Sequence, residues 1–170
     1  MKRHSRGFNL LELMVAITLL GIVLGFGVPT FRQFTRNNTV VVANNDLITA
    51  LNLARSEALR RNKPVSVCAS IDKEVCEEDP DWTQGWIAFI DGDGAGEVDG
   101  DDQILQVWQP PSSDLIFDAD SAFIQFQSTG MTGSAATFDI RWEGCIGDRA
   151  RHVAVMATGA ITGNAEDCPS

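Results

Sequence analysis

A single carboxylate, Glu12, lies near the start of a stretch, Leu10–Val28, that is otherwise apolar and free of charge. The stretch is close to the roughly 20 residues that a helix needs to cross the hydrocarbon core of a bilayer. An acid in that environment costs about 2.5–3.5 kcal/mol on insertion scales, so it needs a partner or a function. The chemistry that fits Glu12 is therefore ion pairing in an apolar environment.

An acidic segment between Asp72 and Asp102 offers a second chemistry, calcium binding. Within it, Asp91, Asp93, Asp99 and Asp102 fall on positions one, three, nine and twelve of a calcium-loop spacing, with a glycine at position six. Position five is an alanine, and position twelve lacks the bidentate glutamate. Two interpretations stay open: these aspartates bind Ca²⁺, or the segment is a solvated hairpin tip. The sequence predicts no other cofactor.

Catalytic groups are hard to assemble from this sequence. The chain has two histidines, His4 and His152. Ser70 and Lys73 match a Ser-x-x-Lys pattern, but they lie in an acidic segment between two cysteines rather than at the start of a helix. Chance explains that match better than catalysis, so we predict that the protein is not an enzyme.

The chain has four cysteines, which follow an apolar segment typical of exported proteins; they are Cys68, Cys76, Cys145 and Cys168. Disulfides are the expected state in an oxidising compartment. Of the three pairings, we favour Cys68–Cys76 and Cys145–Cys168, because each pair flanks a Gly- or acid-rich loop. A zinc site is the alternative, but it needs closely spaced Cys or His ligands and histidine is scarce.

The element that carries Glu12 is predicted to be one long N-terminal helix. After Pro29 it continues as an amphipathic stretch with a narrow, alanine-rich apolar side. The apolar side consists of Val40, Ala43, Leu47, Ala50, Leu51, Ala54 and Ala58, and the polar side carries Asn38, Asn45, Thr49, Asn52 and Ser56. Pro64 predicts the end of the helix, since the residue before a proline avoids helical geometry.

The chain after Pro64 is typical of strands, because runs of β-branched and aromatic residues alternate with turn signals. The predicted strands are Pro64–Ser70, Gly85–Asp91, Gln103–Gln109, Ala122–Gln127, Thr137–Trp142 and Arg151–Thr158. The predicted fold class is α+β, with the second half of the helix packed on antiparallel sheet.

The composition disfavours some partners. The net charge is −10, and removal of the basic N-terminal residues would make the remainder more negative. An acidic surface opposes spontaneous binding to nucleic acid or anionic lipid, so any such binding requires a local basic patch.

The segment Gly7-Phe8-Asn9-Leu10-Leu11-Glu12 resembles the cleavage and methylation site of type IV prepilins and type II secretion pseudopilins. The resemblance implies that prepilin peptidase cuts after Gly7 and methylates the amine of Phe8. It also implies that Glu12 neutralises the terminal amine of a neighbouring subunit, and that Pro29 is the family's helix-bending proline. A conventional signal peptide has a shorter apolar core and a small-residue cut site, and an ordinary anchor leaves Glu12 unexplained.

The type IV pilin-like architecture implied by this resemblance has four parts: a leader peptide, 1–7; a transmembrane and assembly helix, 8–29; its amphipathic continuation, 30–63; and a β-rich periplasmic domain, 64–170. The expected location is the bacterial inner membrane, with a single pass and a periplasmic C-terminal domain, and then the fibre. The expected partners are other pilin or pseudopilin subunits, prepilin peptidase and the membrane itself.

Two internal segments, Ala54–Asn62 and Asp81–Asp91, resemble the GspH/FimT branch of minor pilins and pseudopilins. This resemblance implies a minor pilin that takes part in assembling a type IV pilus. The alternative is the minor pseudopilin H of the type II secretion system. A third interpretation, from a different class, is an anchored periplasmic domain that binds a ligand.

Arg149 and Arg151, which follow Gly147, form the basic spot of the C-terminal half. The resemblance to FimT-like minor pilins implies DNA capture by a C-terminal Gly-Arg-x-Arg loop, and two guanidiniums can contact phosphates without sequence preference. Here Asp148 is inserted before Arg149 and places a carboxylate beside the arginines. Structural salt bridging is the alternative role.

Overall fold

The computed structural model describes residues 9–77, 81–100, 102–110, 112 and 114–169. These residues form two compact units, with the boundary between Arg36 and Asn37. The first helix, α1, spans Leu10–Arg61; its residues up to Arg36 belong to the first unit and the rest belong to the second. Within the part of the chain that the structure describes, no helix qualifies by length and apolarity as a membrane span.

Residues next to each end of α1 explain where the helix begins and ends. The carbonyl of Asn9 accepts the first helical hydrogen bond from the amide of Leu13, at 3.2 Å, and asparagine is among the preferred N-cap residues. At the other end Asn62 has a φ of 53°, the left-handed conformation that commonly terminates helices. Pro64 follows two residues later, as expected for a chain that must leave the helix.

In the part of the chain that the structure describes, eight strands follow the helix. They are β1 (Val65–Ala69), β2 (Trp86–Ile90), β3 (Gln103–Trp108), β4 (Leu115–Ala119), β5 (Phe123–Phe126), β6 (Ala136–Trp142), β7 (Ala150–Val155) and β8 (Ile161–Glu166). They form two four-stranded sheets, a first sheet of order β3-β2-β1-β5 and a second sheet of order β4-β6-β7-β8. All neighbouring pairs are antiparallel.

Six of these strands correspond to the six predicted ones, but β4 and β8 were missed. β4 follows a proline- and serine-rich segment, and the sequence of β8, ITGNAE, is mostly polar. Every residue of β8 after Ile161 is exposed, because this strand lies at the edge of the second sheet. An edge strand with few apolar residues carries little of the alternation on which the prediction relied.

The apolar side of α1 that the sequence predicted forms the helical part of the core. All seven of its residues are fully buried: Val40, Ala43, Leu47, Ala50, Leu51, Ala54 and Ala58. They pack with aromatic side chains of the strands and of the turn before β2. Trp82 of that turn meets Phe138 of β6 edge to face, with 4.9 Å between ring centroids. Alanines suit this side of the helix because their small side chains let the helix approach the strands closely. The polar side of α1 faces solvent, as predicted.

The first sheet is covered on both faces. All five residues of β1 are buried. Val65, Val67 and Ala69 join the main core, while Cys68 joins a smaller cluster with Ile87 and Phe89. This smaller cluster is packed by partly buried residues of β3 and of the two loops that precede β2 and β3. The acidic segment therefore has a structural role: it covers the outer face of the first sheet.

Candidate assembly segment and charged surfaces

The first unit presents an uncovered apolar surface. Most of the large apolar side chains that the structure describes in this unit are more than half exposed, including Leu10 at 74%, Leu11 at 69% and Leu13 at 54%. The pattern continues to Phe31 and Phe34, which are 69% and 67% exposed. Soluble monomers rarely expose continuous apolar surface on this scale, so the segment is suited to burial against another apolar surface.

Glu12 lies in the first turn of α1 and is exposed among these apolar side chains. A carboxylate in this turn is favourable, since the helix N-terminus carries a partial positive charge. The two predicted processing residues, Gly7 and Phe8, lie outside the residues that the structure describes. Pro29 lies within α1. Glu12 is thus available for contact with a group from another chain.

Asp91 organises the loop between β2 and β3 from a fully buried position. Its carboxylate accepts hydrogen bonds from Ser66 Oγ at 2.5 Å and Gln125 Nε2 at 2.7 Å. It also accepts from the amides of Gly94 and Gly96, at 2.8 and 3.1 Å. Four donors satisfy this carboxylate, as a buried acid requires. Because the donors come from β1, β5 and the loop, Asp91 links these three elements.

The other three predicted calcium ligands lie in the exposed part of this loop. Asp93 accepts a hydrogen bond from the amide of Ala95, and Asp102 accepts from those of Gly92 and Asp99. Repulsion from Asp93, then desolvation, and then repulsion from the other nearby acids raise the pKa of the Asp99 carboxyl. Within the described chain, the ligand atoms of these four aspartates do not meet the spacing of a metal group. The calcium interpretation stays a prediction.

Arg149 and Arg151 differ in their surroundings. Arg149 lies in the loop before β7, half-buried, while Arg151 is the second residue of β7. Arg151 pairs with Ile140 of β6 and Ala165 of β8. Its Nη1 donates to the carbonyls of Ala150, at 2.9 Å, and Asp148, at 3.4 Å. The guanidinium of Arg151 therefore already supports the local backbone.

The cysteines pair as the sequence favoured, Cys68 with Cys76 and Cys145 with Cys168. The first disulfide ties the loop after β1 to the small cluster on the first sheet. The second anchors the chain after β8 to the loop after β6, where the amide of Cys168 also donates to the carbonyl of Gly147 at 2.8 Å. Both fit an oxidising compartment.

Ser70 and Lys73 form a turn. The buried Ser70 accepts a hydrogen bond at Oγ from the amide of Lys73, at 3.0 Å. Asp72 closes the same turn, and the amides of Glu74 and Val75 lower the pKa of its carboxyl. The contact between Ser70 and Lys73 runs through a backbone amide, not through the lysine ammonium.

One ion-pair group on α1 was not singled out from the sequence. Glu57 accepts hydrogen bonds from Arg60 Nη2 and Arg61 Nε, both at 2.5 Å. These bonds lower the pKa of the Glu57 carboxyl. Arg60 and Arg61 lie three and four residues after Glu57, a spacing at which oppositely charged side chains stabilise a helix.

Sequence reasoning also missed a cluster on the second sheet. Asp139 of β6, His152 of β7 and Glu166 of β8 lie side by side, and their ligand atoms fall within 4.8 Å of one another. They are far apart in the sequence, and only the strand register brings them together. A search for polar residues at alternate positions of neighbouring predicted strands is the signal that could have found them.

A sequence model of the family described as "Type II transport protein GspH" matches residues 43–159, which is more than half of the chain. The chain belongs to this family. A second model, the prokaryotic N-terminal methylation motif, matches residues 2–28. Together with the fold, these matches identify a member of the minor pilins and pseudopilins, a family of structural subunits.

Among known sequences, a "Fimbrial protein" of Pseudomonas aeruginosa is 26% identical to this GspH-family chain over 96 residues. That match covers 56% of this chain and 59% of the relative, so the chain spans about three fifths of the relative's length.

Two solved structures share the fold. The type IV minor pilin FimU of Pseudomonas aeruginosa superposes with a TM-score of 0.59 at 23% identity, covering 80% of this chain and 92% of FimU. The minor pseudopilin EpsH from the type 2 secretion system of Vibrio cholerae gives 0.52 at 14% identity, covering 74% and 96%. These likenesses confirm the predicted α+β, pilin-like fold.

Proposed function

We propose that this protein is a minor pilin that enters a type IV pilus through its N-terminal helix. The observation that carries the proposal is Glu12, placed five residues after Gly7 in an otherwise uncharged apolar segment. The methylation-motif match over residues 2–28 supports the same interpretation. In this proposal the leader 1–7 is removed by prepilin peptidase, Phe8 becomes the methylated N-terminus, and segment 8–29 forms the fibre core.

The physical argument rests on mutual desolvation. Glu12 and the terminal amine of an adjoining subunit would each be costly alone in an apolar fibre core. Placed together, each offsets the other's lost hydration, and a misplaced subunit would leave one charge unpaired. The exposed leucines around Glu12 supply the apolar contact that brings the two charges into register. The ion pair would thus fix the position of each subunit relative to its neighbour as well as attract the two subunits.

The proposed location follows from the same segment. Before assembly, the apolar part of α1 would hold the chain in the bacterial inner membrane, with the basic residues Lys2, Arg3 and Arg6 on the cytoplasmic side. The domain 64–170 would then lie in the periplasm, where its two disulfides persist. The protein would act as a structural subunit and not as an enzyme.

Processing can be tested by mass spectrometry of the chain purified from membranes. We expect a protein that begins at N-methylated Phe8. Replacing Gly7 with valine should leave the leader attached, whereas Ser5→Ala, a matched change on the other side of the cut site, should be processed normally. A wild-type chain that keeps Met1–Gly7 would reject the proposal and favour an anchored, ligand-binding periplasmic domain.

A second candidate function is that of the minor pseudopilin in type II secretion. The family description "Type II transport protein GspH" favours it, since that model matches residues 43–159. A chromosomal deletion separates the two functions. Loss of twitching and of surface pili with normal protein export supports the pilus subunit, and loss of exported folded proteins with normal pili supports the pseudopilin.

DNA uptake is a further role that we propose for the pilus form. Arg149 lies just before β7 and Arg151 is its second residue, so each guanidinium could contact a phosphate. Because the guanidinium of Arg151 already donates to two backbone carbonyls, we expect Arg149 to account for most of the DNA binding. A double change of both arginines to glutamine should weaken DNA binding and flatten its salt dependence, while the exposed Lys63→Gln should not. Unchanged binding by the double variant would reject the role.

A further inference from the structure

A group of metal-ligating side chains lies on the outer face of the second sheet. Asp139, His152 and Glu166 come from the adjacent strands β6, β7 and β8. Asp139 and His152 are directly paired in the register of β6 and β7. Phe138 and Val153, their neighbours in sequence, are fully buried on the opposite face. The group is therefore displayed away from the core, where an ion can reach it.

We propose that this group, the β6–β8 cluster of Asp139, His152 and Glu166, binds a divalent transition-metal ion such as Zn²⁺. His152 Nδ1 lies 2.6 Å from Asp139 Oδ1 and 3.6 Å from Glu166 Oε2. One imidazole nitrogen and two carboxylates form a ligand set that Zn²⁺ accepts, with water completing the coordination. The imidazole favours a transition metal over calcium, which takes oxygen ligands.

The distances require only a small adjustment. Tetrahedral ligands about 2.1 Å from zinc are about 3.4 Å apart, so the distance from His152 to Glu166 already fits. Asp139 has to retreat from His152 by about 0.8 Å on the same reasoning, as the metal replaces the proton between them. The Asp139 side chain is 46% exposed and the Glu166 side chain 56%, so both have room to move.

The electrostatic surroundings favour a cation. A cleft of about 380 Å³ beside the cluster is lined by four carboxylates and a single guanidinium. That guanidinium, Arg141, pairs with Asp118 of β4 on the same face. The pairing offsets the charge of Arg141, so the other three carboxylates give the cleft a net negative charge.

Metal binding there would strengthen one edge of the second sheet. β8 is an exposed edge strand, and Glu166 is its last residue. The disulfide at Cys168 holds the chain two residues further on. A metal bound by Glu166 and His152 would fasten the strand itself to β7, so the ion and the disulfide would together fix the C-terminal edge. This inference does not depend on the proposed function.

Binding is testable with ZnCl₂ by calorimetry and by thermal melting of the full chain, purified in mild detergent without a polyhistidine tag. Wild-type protein should bind one Zn²⁺ per chain and melt at a higher temperature with zinc. His152→Gln should lose at least about tenfold in affinity. A matched control is Glu143→Gln, which changes an exposed acid directly after β6, outside the cleft, and should bind zinc normally.

Glu166→Gln gives a second variant that should also weaken binding by at least about tenfold. Because Glu166 lies at an exposed strand end, this variant keeps the test valid if His152→Gln folds poorly. Hydrogen exchange should show that zinc protects the amides of β8. The proposal is overturned if wild-type protein shows no zinc-dependent stabilisation, or if His152→Gln or Glu166→Gln binds zinc as the wild type does.

Discussion

Replacing the buried Asp91 with alanine is expected to destabilise the second unit by about 3–5 kcal/mol. The reason is that Asp91 is the common acceptor for four hydrogen bonds that join β1, β5 and the loop before β3. No other carboxylate in the described chain is fully buried. The change therefore tests whether the loop is built around this one side chain.

The magnitude follows from the donors that the change would leave behind. A hydrogen bond to a charged group contributes about 1.5–3 kcal/mol, and a buried donor without an acceptor costs about 1–3 kcal/mol. Ser66 is fully buried and has no route to water, while the loop amides of Gly94 and Gly96 can regain some hydration if the loop opens. These effects overlap, so the sum is limited to about 3–5 kcal/mol.

The assay is thermal unfolding followed by tryptophan fluorescence. All four tryptophans lie in the second unit, so the signal reports this unit without interference from the first. For a unit of this size, 1 kcal/mol corresponds to roughly 3 °C, so a loss of about 3–5 kcal/mol predicts a Tm lower by about 9–15 °C. Asp93→Ala is the matched control, because Asp93 is an exposed aspartate of the same loop whose described contact is with one amide.

Two outcomes would refute this reasoning. If Asp91→Ala melts within about 2 °C of Asp93→Ala, the buried network does not carry the stability assigned to it. If instead both variants lose the same stability, and only in buffer that contains millimolar calcium, the loop is a calcium site. We expect calcium to leave the difference between the variants unchanged.

Three further predictions concern other parts of the second unit. Gly159→Ala should destabilise the second unit by about 3 kcal/mol or more, measured by thermal melting. The reason is that Gly159 has a φ of 79° and an added Cβ would lie 1.9 Å from the Gly130 carbonyl oxygen. The control Gly133→Ala, which has open space around the added Cβ, should melt like the wild type. Replacing Cys145 and Cys168 with serine should cost about 3.4 kcal/mol in urea unfolding, since their disulfide closes a 23-residue separation; no change in the midpoint would contradict this. Glu57→Gln should cost less than about 1 kcal/mol at neutral pH. Because its two arginine partners lower the folded-state pKa of Glu57, that difference is present above the carboxyl's ordinary pKa and disappears as the pH falls below the lowered value; a difference that persists at acid pH would contradict it.

The long helix could be predicted because its signals are local and repeated. The apolar side of the amphipathic stretch recurs at helical spacing from Val40 to Ala58, and every predicted member is buried. The helix end was equally local, since Pro64 predicted it and α1 ends at Arg61, three residues before that proline. Strand β8 could not be predicted in the same way, since its residues gain their place from pairing with β7 and not from their own apolarity.

The sites show the same division. Glu12 could be singled out because a charge in an apolar run is visible in the sequence alone. The role of Asp91 could not be predicted, because its spacing in the sequence suggested a metal ligand. Its burial and its four hydrogen-bond donors depend in part on strands that are distant in the sequence. The β6–β8 cluster depends entirely on register, because a shift of one residue would point His152 into the core.

The most direct test of the assembly account is the amount of this protein in sheared surface fibres when Glu12 is replaced by glutamine. The variant keeps the shape of the side chain and removes its charge, so we expect a stable, processed protein that enters the fibres at least about tenfold less than the wild type. Asp46→Asn, the same kind of change at another acid of α1, should enter normally. Glu12→Gln protein present in fibres at the wild-type level would contradict the account.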